Sequence, residues 1–196
     1  MVLGSLGCLG LNLGPRSGGA AVVPPAPYAL FDPEANASVA NPTSAGGAAT
    51  ITKTGDTGGY DGRAQSWDVM PPNFLARFRT TVDDGVFYLG WAGSGATGPS
   101  DFEWAVAIDA SIVYCESYQK GSLAFGHGAA DSSTLRVFVR RLNGEWTVWT
   151  KDGSDDFAGA VLRHTYNDSG IDTNAFYATA LLATPGMAAE VSITAL

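Results

Sequence analysis

The amino-acid sequence predicts an all-β protein, an antiparallel sandwich or barrel behind an extended N-terminal arm, and three observations carry that reading. Residues 74–82 alternate Phe74, Ala76, Phe78, Thr80 and Val82 with Leu75, Arg77, Arg79 and Thr81, the period of two expected of a strand with one buried and one wet face. Residues 134–150, TLRVFVRRLNGEWTVWT, place two alternating runs around Asn143-Gly144, a dipeptide whose positive φ angles suit the tight type I′ turn of a hairpin. Short apolar runs recur at about ten-residue spacing, separated by Gly, Asp, Asn and Ser, whereas helical periodicity is hard to find and no longer internal repeat is visible.

In chain order, residues 1–27 come first, MVLGSLGCLGLNLGPRSGGAAVVPPAP, a Gly/Leu-rich stretch that passes into a Pro-rich hinge with Arg16 as its only charge. Such a segment builds no core of its own, because glycine costs backbone entropy on ordering and the leucines have little around them to bury against. Leu3, Leu6, Leu9, Leu11 and Leu13 are expected to act as pegs for another subunit's groove or sheet edge, so residues 1–27 read as an anchoring arm and hinge and residues 28–196 as the folded domain. Within that domain, strand 74–82 is followed by GVFYLGWAG at 85–93 and EWAVAIDASIVYC at 103–115, apolar on both faces as central strands tend to be. After the 134–150 hairpin, Lys151-Asp152-Gly153-Ser154 supplies a turn, and the last strands are expected at 160–166, 175–183 and 188–195.

Composition narrows the function. The chain has 196 residues with 11 basic against 19 acidic, a net charge of −8; that length fits one domain plus an appendage. It can bury roughly two thirds of its unfolded surface without a metal or disulfide staple. The pI is near 4.5 and lysine occurs only at positions 53, 120 and 151, which disfavours nucleic acid as the main partner because that affinity comes from cations displacing counterions. Gly and Pro interrupt every apolar run, so no membrane insertion is expected. The first 13 residues lack the basic flank and cleavage site of a secretory signal. Cys8 in the arm and Cys115 in an apolar run read as free thiols of a protein assembled in a reducing cytoplasm.

The order of segments then becomes informative. An opening YALFDP at 28–33 leads through a Gly-rich strand pair ending YDGRAQS at 60–66. FLARFRTTV, VFYLGWAG and WAVAID follow, then an aromatic-rich VYCESYQKG, and last LRVFVRRLNGEWTVWTKDG. This resembles the concanavalin A-like jelly roll in its SPRY-like form, over residues 28–196. The implied fold class is an all-β antiparallel jelly-roll β-sandwich with an extended N-terminal arm. The LGLNLGPRSGG start is similar to the opening of small virion proteins of tailed bacteriophages and gene transfer agents, in which a short Gly/Leu-rich arm inserts into the particle and a jelly roll projects outward. That resemblance implies a head or tail fibre or a decoration protein, assembled in the bacterial cytoplasm, a homo-oligomer (a trimer by analogy), with other virion subunits as partners of residues 1–27.

Catalytic patterns are weaker. Retaining hydrolases of the resembled fold carry E-x-D-x-E on one strand, a spacing absent here, where Glu103, Asp109 and Glu116 lie far apart in sequence. His127 and His164 sit in different segments, no G-x-S-x-G elbow occurs, and zinc-type Cys/His clustering is missing, so neither catalytic residues nor a metal or other cofactor are assigned. Asp152, Asp155 and Asp156 could offer oxygen ligands to calcium, but read more simply as an acidic turn.

Aromatic and acidic surface chemistry remains. Sugar rings stack their C–H faces on aromatic rings and need Asp, Asn or Gln around them for their hydroxyls. Tyr60, Asp61, Trp67, Asp68, Trp91, Asp101 and Tyr118 are the candidate carbohydrate-binding residues, with Tyr114 and Trp149 as further exposed-aromatic candidates. The alternative, that these aromatics fill the core, is taken for Phe74, Phe78, Phe87, Trp104 and Phe138 and stays open for the rest, because alternation does not say which face points outward. The expected function is that of a non-enzymatic particle protein binding host-surface polysaccharide. The rivals are a purely architectural capsid-decoration or tail-attachment subunit, a polysaccharide-degrading enzyme, and a cellular SPRY-type interaction module.

Overall fold

The computed structural model describes residues 29–196 apart from 45, 57, 83–84, 94, 110–113, 120–121, 130–133 and 168–175. The five leucine pegs and Cys8 therefore lie outside the described residues. Among the described residues fourteen strands are formed: β1 (Phe31–Ala35), β2 (Ala37–Ala40), β3 (Ala49–Lys53), β4 (Gly62–Ser66), β5 (Phe74–Thr80), β6 (Val86–Ala92), β7 (Trp104–Asp109), β8 (Tyr114–Gln119), β9 (Ser122–Ala129), β10 (Leu135–Leu142), β11 (Glu145–Asp152), β12 (Val161–Asn167), β13 (Tyr177–Leu182) and β14 (Ala188–Ala195). They make two seven-stranded antiparallel sheets, a first in the order β1-β4-β13-β6-β7-β8-β9 and a second in the order β12-β11-β10-β5-β14-β3-β2. Among the described residues the only helical element is a 3-10 turn at Pro99–Asp101.

The expected strands form where their alternation lies. β5 buries every second residue as the 74–82 pattern requires. β10 and β11 pair from Leu135↔Asp152 to Leu142↔Glu145 around Asn143 (φ 53) and Gly144 (φ 82), the two left-handed conformers of a type I′ turn. The 103–115 run, expected as one strand, is two: β7 ends at Asp109 and β8 begins at Tyr114, and they pair antiparallel with Ala107 opposite Glu116. Residues 31–40 also carry more structure than their composition suggests. β1 belongs to the first sheet and β2 to the second, with Asn36 (φ 41) between them at the corner. Asparagine tolerates that conformation better than most residues, and Pro33 is accommodated because β1 is an edge strand with a register irregularity between Pro33 and Ala35.

The core lies between the sheets. Phe74, Trp91, Trp104, Trp146 and Phe176 form one aromatic cluster, with Trp91 stacked 5.6 Å from Phe74 and set edge-on 5.3 Å from Trp146. Phe74, Phe78, Phe87 and Trp104 are core residues as expected. Phe138 is buried on the other face of its sheet, beneath Phe157, whose ring centre is 5.4 Å away. Trp149 flanks the same Phe157 at 5.3 Å, and the Arg140 guanidinium lies 5.7 Å above its ring.

Candidate functional site

The outer face of the first sheet is where chemistry collects. Alternation turns Phe87, Leu89 and Trp91 of β6 and Trp104, Val106 and Ile108 of β7 into the core, leaving Tyr88, Gly90, Ala92, Ala105 and Ala107 on the far side. Strand register aligns Ala35, Arg63, Leu181, Tyr88, Ala107 and Glu116 in one row across this face. The middle of the row is built of small residues, so larger side chains from the loops can lie flat on the sheet. Phe102 does so directly on Gly90, where an added Cβ would stand 2.3 Å from its ring. Phe102, Tyr88, Ala92, Ala96, Ala105, Ala107 and Leu181 thus form a second apolar cluster, with Tyr60 packed at its margin.

Beside Tyr60 opens a shallow hollow of about 380 Å³, walled by the Gly58–Asp61 turn, Arg63, Ala35 and Thr97-Gly98. The Gly58–Asp61 turn and the Thr97-Gly98 wall are each fixed by a charge-assisted contact. Lys53, fully buried, donates from Nζ to the carbonyls of Gly59 (2.7 Å) and Ala183 (2.8 Å) and pairs with the Asp61 carboxylate. Asn36 Nδ2 donates to the other Asp61 oxygen at 2.9 Å. Across the hollow, Asp101 Oδ2 accepts from the Thr97 amide (2.7 Å), the Thr97 hydroxyl (2.9 Å) and the Gly98 amide (3.0 Å), which holds the 97–101 loop closed. Tyr60 meets Tyr88 edge-to-face at 5.2 Å, and the two phenols share a hydrogen bond. Burial, then the neighbouring Tyr88 and Asp109, push the Tyr60 hydroxyl up to about 12, so it stays a neutral phenol.

Of the seven candidate residues, Tyr60 and Asp61 line this hollow and Asp101 braces its wall. Trp67 and Asp68 are exposed but lie past the opposite end of β4, about 17 Å along a five-residue strand, so they belong to no common site with the other three. Trp91 is 0 % exposed and offers no face to a ligand, a correction to its reading as a sugar platform. Tyr118 lies in β8 opposite Ala105, and its side chain, like that of Tyr114, falls outside the described part. Arg63, Lys53, Asn36 and Thr97 were not singled out in the sequence; an arginine at a strand's wet positions reads there as plain solvated surface.

Two further expectations meet the geometry differently. Asp155 is taken up by Arg136 (2.7 Å) and Arg77 (3.5 Å), and Asp156 faces Lys151 at 3.9 Å while accepting from the Ala158 amide, so these carboxylates answer cations of the chain itself. Among the described residues no three His, Cys, Asp or Glu side chains converge as metal ligands. Asp109 and Glu116, far apart in sequence, become diagonal neighbours on the outer face once β7 and β8 pair, a placement that typically separates residues by about 7–8 Å.

Asp101 beside the hollow, with Asp155 and His164 at the second sheet, sets an acid sensitivity. The Thr97 amide and hydroxyl, with the Gly98 amide and the Arg63 charge, hold the Asp101 carboxyl below its ordinary value against a smaller opposing effect of burial. Burial pushes Asp155 up, but the Arg136 hydrogen bond and the Arg77, Arg136 and Arg79 charges outweigh it and leave the carboxyl lowered. Burial lowers His164. In all three the folded pKa lies below the unfolded one, so stability is complete above the unfolded value and is lost as pH falls through the folded value. Melting temperature should drop first below the ordinary histidine value of 6.5 and again below the aspartate value of 3.8. His164→Gln should remove the first step alone, and a step that persisted in this variant would overturn the assignment to His164.

These sheets and their order define an antiparallel jelly-roll β-sandwich, the concanavalin A-like fold. Solved structures that share it include the exoplasmic/lumenal domain of VIP36 with calcium and Man3GlcNAc bound, at TM-score 0.56 and 13% identity over 85% of this chain and 83% of that one. A Bacillus licheniformis β-glucanase matches at 0.53 and 10% identity, covering 85% and 92%, and the winged bean acidic lectin with methyl-α-D-galactose at 0.53 and 12%, covering 84% and 91%. At such identities the likeness is one of fold. No protein-family model matches the sequence, and no curated protein sequence is similar to it.

Proposed function

We propose that this protein binds polysaccharide in the hollow beside Tyr60 and serves as an outward-facing subunit of a phage-like particle. The observation that carries the binding half is the hollow itself: a ligand-sized concavity on one face of a jelly roll, walled by an aromatic ring, glycine backbone and polar side chains held in place by Lys53 and Asp101. Lectins that share the fold, VIP36 and the winged bean lectin, have sugars bound, which supports the same ligand class here. The particle half rests on residues 1–27, whose leucines suit insertion between virion subunits, with assembly in the bacterial cytoplasm, a homo-oligomeric (trimeric) state and a host-surface glycan as target.

The test uses the full chain against a panel of bacterial-envelope polysaccharides, with Gly98→Phe as the blocking variant. Gly98 lines the hollow, has ordinary extended backbone (φ −157), and a Cβ there meets nothing within 4 Å, so a phenyl group is accommodated at its edge without disturbing the core. Binding should weaken at least about tenfold at unchanged melting temperature. A folded protein that binds no polysaccharide would leave the purely architectural reading. The diagonal pair Asp109 and Glu116 supports a second reading, hydrolysis on the same face, since inverting glycosidases hold their carboxylates roughly 6.5–9.5 Å apart. Release of reducing ends from a bound polysaccharide in the same assay would favour it.

A further inference from the structure

We infer that the sugar recognised in this hollow is acidic, and that its carboxylate pairs with Arg63. The inference rests on the polysaccharide-binding reading above and deepens it. It follows from which polar groups of the hollow already have a partner within the fold. Asp61, the carboxylate in the wall, has one oxygen on Lys53 and the other on Asn36. The Thr97 hydroxyl is donated to Asp101, the Gly59 carbonyl accepts from Lys53, and the Tyr60 phenol is bonded to Tyr88. Asp101 spends three hydrogen bonds on its own loop and stands behind Thr97-Gly98 rather than in the hollow.

Arg63 is the exception. It lines the hollow from the row of outward residues on β4, half-buried, and makes no hydrogen bond or ion pair with any described residue. Through space its charge helps to lower the Asp101 carboxyl. A guanidinium carries five N–H donors and no acceptor. The unpaired charge of this hollow is therefore donating and cationic; a neutral sugar's hydroxyl can meet it only as an uncharged acceptor, whereas an anion meets it with a charge-assisted hydrogen bond roughly twice as strong. The group that matches a vacant guanidinium is an acceptor-only anion of planar shape, a carboxylate taken bidentate, and on a polysaccharide that means a uronic acid. The apolar remainder of the wall, Ala35, Gly58 and the edge of Tyr60, suits the C–H face of such a ring.

The net charge of −8 opposes an anionic ligand, but two features limit the opposition. Lys53 balances Asp61 within the wall, and at physiological ionic strength charges more than about 8 Å away are largely screened. Local pairing with Arg63 then decides.

The experiment compares an oligogalacturonide with its methyl ester, the same sugar with the carboxylate neutralised, by calorimetric titration of the full chain at physiological salt. Wild-type protein should bind the acid at least about tenfold more tightly than the ester. Arg63→Gln should erase that preference at unchanged melting temperature, Arg63→Lys should restore part of it, and Gly98→Phe should abolish binding of both. Equal affinity for acid and ester, or for neutral glycans of the panel, with Arg63→Gln silent and Gly98→Phe still blocking, would overturn the acidic-sugar inference and leave polysaccharide binding standing. Binding of the acid that ignores Gly98→Phe would place it elsewhere and overturn the inference too. Failure of the folded chain to bind any glycan would overturn both.

Discussion

Trp91→Ala should lower stability by about 3–5 kcal/mol, the cost of emptying a large aromatic site in a packed core. The ring is 0 % exposed and lies among Phe74, Trp104 and Trp146, with centre distances of 5.6, 5.9 and 5.3 Å, so no neighbour can close the gap without leaving its own partners. At this chain length each kcal/mol shifts the melting temperature by roughly 2–4 °C, which puts the expected fall at roughly 6–20 °C. Trp91→Phe should cost far less. The indole Nε1 of Trp91 has no hydrogen-bond partner among the described residues, so its removal breaks no bond and leaves a smaller void. Thermal melts of the two variants check this, and equal losses would show that the indole N–H, not ring volume, holds the site. Any loss of polysaccharide binding in Trp91→Ala should track unfolding and disappear at temperatures where the variant is folded.

The Trp91 result also shows where the sequence was legible. Strand β5 and the β10–β11 hairpin were readable because each has one wet face, so alternation names both the strand and its inward side. β6 has no wet face: its far side is covered by Phe102 and Tyr60, nearly every residue is buried, and the pattern that would separate Trp91 from Tyr88 is erased. The same loss merged β7 and β8 into one expected strand, since Ala105 and Ala107 look apolar whichever way they point. β1 and β2 were hidden by Pro33 and by the corner at Asn36, each of which reads as a breaker until the edge position and the change of sheet are known. Tyr60 and Asp61 were recoverable from a Gly-rich segment with an aromatic and an acid side by side. Arg63 was not, because its significance lies in the partners it lacks, and only the folded chain supplies that count.

Asp61 teaches the same lesson as Trp91 from the polar side, and its removal should be the second large effect. The Lys53 side chain is 0 % exposed and that of Asp61 35 % exposed. Removing Lys53 leaves a carboxylate that water and Asn36 can still solvate, together with two carbonyls that lose a charged donor. Removing Asp61 leaves a buried ammonium that has lost its counter-charge. Breaking a buried pair from the side that strands the buried charge costs roughly 3–5 kcal/mol, and Asp61→Ala should fall near the lower end because the Gly59 and Ala183 carbonyls remain. Lys53→Met keeps the apolar stem, for which Gly62 makes room with a would-be Cβ only 2.9 Å from Lys53 Cγ, and should cost less than Asp61→Ala. The double variant should be more stable than Asp61→Ala alone, since it removes the stranded charge as well. Urea unfolding of the three proteins measures the ordering, and a double variant less stable than Asp61→Ala would mean that Lys53 stabilises the fold through the two carbonyls and not through the pair. In either case Asp61 acts on the hollow by fixing the 58–61 turn, so lost glycan binding in Asp61→Ala should come with lost stability, whereas Arg63→Gln should lose the acidic ligand and keep the fold.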